Sequence, residues 1–122
     1  MALTKITSKS LEESKADITK ALSGVGFGIL TEIDVAKTLK AKIDVDRDPL
    51  VILGACNPTF ANQALTHDPA FALMMPCNVV LAETPSGTSI TIVDPRELIS
   101  DPKLQQLAND AYQLLSKALQ EV

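Results

Sequence analysis

Hydrophobic and polar positions change their period several times along this chain, and each change marks an element. Leu104, Leu107, Ala108, Ala111, Leu115, Ala118, Leu119 and Val122 keep one apolar stripe at helical spacing, which predicts a long amphipathic helix at the C-terminal end. Leu11, Ile18, Ala21, Leu22 and Val25 show the same period and predict a helix over 10–23. Ser10 and Glu13 supply its capping box, and Gly24 stands where a left-handed closing residue is expected. Between these helices the period shortens. Residues 27–33 alternate as a strand, and residues 2–7 alternate weakly, as an edge strand would. Asp34 can then cap a short helix carrying Val35, Ala36, Leu39 and Ile43, before a polar loop over 44–49.

Leu50 to Ala55 is a continuous apolar run of strand length, which reads as a central strand. Asn78 to Glu83 is a second such strand. Pro85-Ser86-Gly87 turns the chain, and Ser89 to Val93 returns as the hairpin partner. Asn57-Pro58, Asp68-Pro69, Asp94-Pro95 and Asp101-Pro102 repeat one device: a capping side chain, then a proline that gives up an amide with no helical partner. They predict helix starts at 58, 69, 95 and 102, the second and third short. The order predicts one two-layer α+β domain over 1–122. Its mixed or antiparallel sheet has about five strands, with helices packed on one face.

Composition narrows the function. The 122 residues are 46% hydrophobic, yet with three Phe, one Tyr and no Trp the core is aliphatic and base-stacking platforms are missing. The net charge of −4 and the lack of a basic stripe argue against a nucleic-acid partner. No apolar run reaches the roughly 18 residues that span a bilayer, so no membrane partner is expected. MALTKITSKS lacks the apolar core of a signal peptide, which predicts a cytoplasmic protein with reduced thiols.

Chemistry concentrates between Val51 and Glu83. That stretch holds both cysteines, the one histidine, and Met74 and Met75. If the strands at 50–55 and 78–83 are antiparallel neighbours, Cys56 and Cys77 share one end of the sheet. Cys56 also precedes a helix start, whose free amides would favour a thiolate. Cys56, Cys77 and His67 are therefore the candidate soft-metal ligands, with Met75 in reserve. The alternative is two cysteines packed as small hydrophobes. Cys56, Asn57, Cys77, Asn78 and Glu32 are the candidate ligand-binding residues. Glu32 qualifies only if buried, since burial would make it a proton-transfer candidate; otherwise it faces solvent. His67, at a helix end, is expected to meet the preceding carbonyls rather than act as a base. Gly24, Gly26 and Gly28 lack the spacing of a phosphate loop, and one histidine supports no hydrolase triad.

The strings GFGILTEIDVAKTL, LGACNPTFANQAL, MMPCNVVLAE and IVDPREL resemble the domain of unknown function 302 family. The matching pieces are Gly26 to Ile33, Cys56-Asn57-Pro58, Pro76-Cys77-Asn78-Val79 and Asp94-Pro95. Met74-Met75 stand where members often carry two leucines. The resemblance implies a small α+β fold, often dimeric, with no assigned activity; the cofactor stays unknown. Three functions stay open: a homodimeric binding module with a small-molecule or soft-metal pocket at Cys56 and Cys77, a thiol redox protein or enzyme using Cys56 as thiolate with Cys77 as partner, or a structural, partner-binding dimer with inert cysteines.

Overall fold

In the computed structural model, which describes residues 2–122, the elements run β1 (Leu3–Thr7), α1 (Leu11–Gly24), β2 (Gly28–Asp34), α2 (Val35–Ile43), β3 (Leu50–Cys56) and α3 (Pro58–His67). A 3-10 helix (Pro69–Met74) follows, then β4 (Cys77–Thr84), β5 (Gly87–Ile92), α4 (Pro95–Leu98), a 3-10 turn (Pro102–Leu104) and α5 (Gln105–Gln120). Capping chemistry sets the helix starts. Ser10 Oγ accepts from the Glu13 amide at 3.2 Å, and Asn57, Asp68, Asp94 and Asp101 each accept from the amide two residues on. The left-handed residue after α1 is Gly26, with φ of 90°, not Gly24, which ends the helix itself.

All strand pairs are antiparallel, in the order β1-β5-β4-β3-β2. Successive residues of a strand point to opposite faces, and burial follows that alternation. Val51, Leu53, Val79, Leu81, Ile90 and Ile92 form the covered face, each at most 4% exposed. They pack against Ile18 and Leu22 of α1 and Leu115 and Leu119 of α5, the helices whose apolar stripes supply the rest of this core. A second cluster, around Phe71, Ile99 and Leu107, joins α5 to the 3-10 helix and the end of α4. Helix α2 takes no part in either cluster and buries no residue. No helix among the described residues is long and apolar enough to cross a membrane.

Candidate functional site

Both cysteines lie at the same end of the sheet because β3 and β4 are antiparallel neighbours, with Ala55 opposite Cys77. The register is offset by one: Ala55 takes the position facing Cys77, and Cys56 pairs on its other side with Gly28 of β2. The two cysteines are therefore neighbours across the strand pair but not a directly opposed pair. Both are free and partly exposed. Burial pushes the Cys77 thiol above its ordinary value, and the neighbouring Cys56 adds to the shift, so Cys77 stays protonated at neutral pH.

Beyond this sheet end lies a cavity of about 80 Å³. All three phenylalanines of the chain line it, delivered by three separate segments. Phe27 enters just ahead of β2, Phe60 comes from α3, and Phe71 from the 3-10 helix. The Phe27 and Phe60 rings meet edge to face, with centroids 6.3 Å apart and planes at 72°. Cys56, Cys77, Met74 and Met75 complete a wall that is rich in sulfur and aromatic carbon. No charged side chain belongs to the lining.

Asn57 is its one amide side chain, and half of that amide is committed. Its Oδ1 accepts from the amides of Thr59 at 3.1 Å and Phe60 at 3.2 Å. The helix-start amides that would have favoured a Cys56 thiolate are thereby occupied by the neighbouring side chain. The Nδ2 end lies against Gly26, where a Cβ would stand 3.1 Å away, so close approach as well as the positive φ calls for glycine there.

Helix α4 closes another side through Pro95 and Leu98. It has only one turn and is pinned from outside. Asp94 caps it through the Arg96 amide at 2.9 Å and binds the Arg96 guanidinium, with Nη2 to Oδ2 at 2.7 Å. Arg96 in turn lies 3.4 Å above the Tyr112 ring of α5. The guanidinium holds the nearly buried Asp94 carboxyl below the usual carboxylate range.

Three expected site residues stand elsewhere. His67 does not join the cysteines: it closes α3, about 15 Å of helix rise beyond the Cys56 end. Nor does its side chain turn to the preceding carbonyls; Nε2 meets Asp101 Oδ2 at 2.7 Å and, in doing so, holds the Asp101 carboxyl low. Glu32 is half exposed and pairs with Lys15 of α1 at 3.0 Å, so the condition of burial fails. Asn78 is exposed, opposite Gly54, one residue past Cys77 and thus on the other face of the sheet. Among the described residues no group of three or more His, Cys, Asp or Glu side chains could hold a metal ion.

The phenylalanines and α4 are the part of the site that pattern reading did not find. The available signal was scarcity: three Phe in 122 residues, each beside a predicted element boundary.

The profile of the domain of unknown function DUF302 matches residues 3–122. The chain belongs to the DUF302 family. Among solved structures, the DUF302 fold here is similar to the crystal structure of an uncharacterized conserved DUF302 protein from Bacillus stearothermophilus. The two share 27% identity and a TM-score of 0.89, over 98% of this chain and 96% of that one. No curated protein matches this DUF302 chain. The motif pieces that carried the resemblance, Cys56-Asn57-Pro58 and Pro76-Cys77-Asn78-Val79, meet at one end of the DUF302 sheet, where β3 and β4 pair.

Proposed function

We propose that this domain is a binding module that takes a small, uncharged, apolar group into the cavity beside Cys56 and Cys77. The observation that carries the reading is the gathering of all three phenylalanines and four sulfur side chains around one cavity without a charged residue. A charged ligand would be desolvated there without a partner, at a cost of several kcal/mol. The volume of about 80 Å³ exceeds what one water needs, roughly 10–15 Å³, and an apolar cavity of such a size has too few polar partners to hold ordered water. An alkyl end, a small ring or a rare-gas atom fits that description.

The thiol-redox and soft-metal alternatives draw less support. Burial disfavours the Cys77 thiolate, the cap amides near Cys56 are taken, and His67 is occupied by Asp101.

The test is an NMR titration with benzene or dissolved xenon, followed at Phe60, Ala64 and Phe71. Saturable shifts confined to the cavity are expected in the parent chain. They should vanish in Ala61→Leu, which fills the lining from α3. A parent chain whose cavity resonances do not move at saturating benzene would end this reading.

A further inference from the structure

An apolar ligand needs no thiol, yet the cavity wall has two. Cys56 is the last residue of β3 and Cys77 the first of β4, and both line the cavity from the sheet end where these strands pair. Ala55 stands opposite Cys77, so Cys56 is displaced from that position by one residue. Strands about 4.8 Å apart and a rise of about 3.3 Å per residue put the two Cα atoms about 6 Å from each other. That lies within the roughly 4.4–6.8 Å over which a single bridge can join two cysteines. Both thiols are free and partly exposed, and Cys77 feels the charge that Cys56 would carry.

The surroundings restrict what could bridge them. A metal cation draws on thiolates, which burial disfavours at Cys77. Among the described residues no group of three or more His, Cys, Asp or Glu could complete its donor set. The wall suits a centre that takes two thiols, stays neutral and carries an organic group. Trivalent arsenic with one organic substituent, R–As(OH)2, has these three properties. Its two hydroxides exchange for two thiols, and its substituent is left to pack among aromatic rings. Inorganic arsenite keeps a third hydroxide, for which this chain has no third cysteine.

We infer that the cavity takes a monoorganoarsenic(III) compound, with arsenic bridging Cys56 Sγ and Cys77 Sγ and its substituent among Phe27, Phe60 and Phe71. This rests on reading the cavity as an apolar binding site. In the exchange two As–O and two S–H bonds break, and two As–S and two O–H bonds form. Each thiol proton leaves with a hydroxide as water, so one arsenical and one chain give one adduct and two waters. Arsenic stays trivalent, and no oxidant or reductant takes part. Neutral reactants give a neutral adduct, which a wall without charged side chains can hold. The thioethers of Met74 and Met75 have no proton to exchange and serve as soft packing around the substituent.

The test titrates phenylarsine oxide, which hydrates to the dihydroxy form, into the reduced whole chain, followed by mass spectrometry and NMR. One adduct per chain is expected, heavier by one phenylarsenic unit less two hydrogens and with neither cysteine open to iodoacetamide. Cys56→Ser and Cys77→Ser should each weaken binding at least about 100-fold, because the second As–S bond closes intramolecularly. Both variants should keep the benzene shifts at Phe60 and Phe71, which shows that they fold. Ala61→Leu should weaken phenylarsine oxide about 10-fold and methylarsonous acid less. Arsenite should bind at least about 10-fold more weakly than phenylarsine oxide, since it has no apolar group to bury. A parent chain that takes up benzene but binds phenylarsine oxide no better than its single-cysteine variants overturns the inference and leaves the apolar reading standing. A chain that takes up neither loses both. An adduct unaffected by Ala61→Leu, or matched by arsenite, also overturns the inference, since the substituent would then lie outside the cavity.

Discussion

The two faces of the sheet are built from the same strands by the same alternation, and they differ in how far their residues are buried and where the charges stand. The covered face holds Leu53, Leu81, Ile90 and Ile92, essentially without exposure, under α1 and α5. The opposite face mixes the aliphatic Ile6, Ile33, Leu50, Ile52 and Val80 with Ala82, Ser89 and Thr91, and none of these is fully buried. The charged residues of the strands stand on the covered side, where long side chains reach out past the helices. Lys5 Nζ reaches the carbonyl of Gln120 at 3.2 Å, and Glu32 reaches Lys15 at 3.0 Å. The difference teaches that an apolar-in, polar-out pattern identifies faces without saying which one meets water. Complete burial marks the covered face, and absence of charge marks the other.

The largest effect that tests this contrast is truncation across the two faces. Leu81→Ala should cost about 2–5 kcal/mol by urea denaturation at low micromolar protein, because the cavity it leaves cannot collapse. Val80→Ala, one residue along on the opposite face, should cost less than about 1 kcal/mol under the same conditions. Equal losses would show that the opposite face is packed as tightly as the core.

Next in size is the Asp94 cap, which holds the cavity wall to the covered side. Asp94→Ala removes a cap and the acceptor of a guanidinium, and should cost about 1–2 kcal/mol. Its folded carboxyl lies below the ordinary value. Its contribution is therefore fully present above about pH 4 and is lost as pH falls through the lowered value. Asp94→Asn should flatten that part of the acid titration while leaving the neutral-to-alkaline limb as it was.

Cys77 gives a smaller effect of opposite sign. Burial raises its folded value, so its contribution is present below the ordinary thiol range and is lost as pH rises beyond about 8.5–9. In the folded chain, alkylation of Cys77 should accelerate only above that range, as read by mass spectrometry of tryptic peptides after timed iodoacetamide pulses. Rapid modification at pH 7 would contradict the apolar wall. The smallest effect belongs to the margin: Glu32→Gln breaks a half-exposed pair with Lys15 and should cost no more than about 0.5 kcal/mol, declining further in salt.

Much of this was legible in the chain because local chemistry is short-ranged. Ser10, Asn57, Asp68, Asp94 and Asp101 announce helix starts through side chains that bond two or three residues away. The stripes of α1 and α5 and the runs at 50–55 and 78–83 announce burial, and together they suffice for the fold class. The site was half legible. Cys56 and Cys77 could be placed at one sheet end once the strands were assumed to be antiparallel neighbours. Their one-residue offset could not, because register depends on how β3 and β4 slide while keeping Leu53 and Val79 inward. His67 was misplaced for a similar reason: its partner Asp101 is 34 positions away, beyond any local pattern.

By itself, then, the sequence determined the elements, their ends, and the residues each would bury, since these follow from backbone capping and from hydrophobic period within a few turns. Only the tertiary structure decided the rest. It gathered Phe27, Phe60 and Phe71 from three segments around one cavity and took His67 and Glu32 away from it. It also put every strand charge on one side of the sheet. Those outcomes depend on strand order and register, which are fixed by the best simultaneous burial of the whole chain and not by any stretch of it.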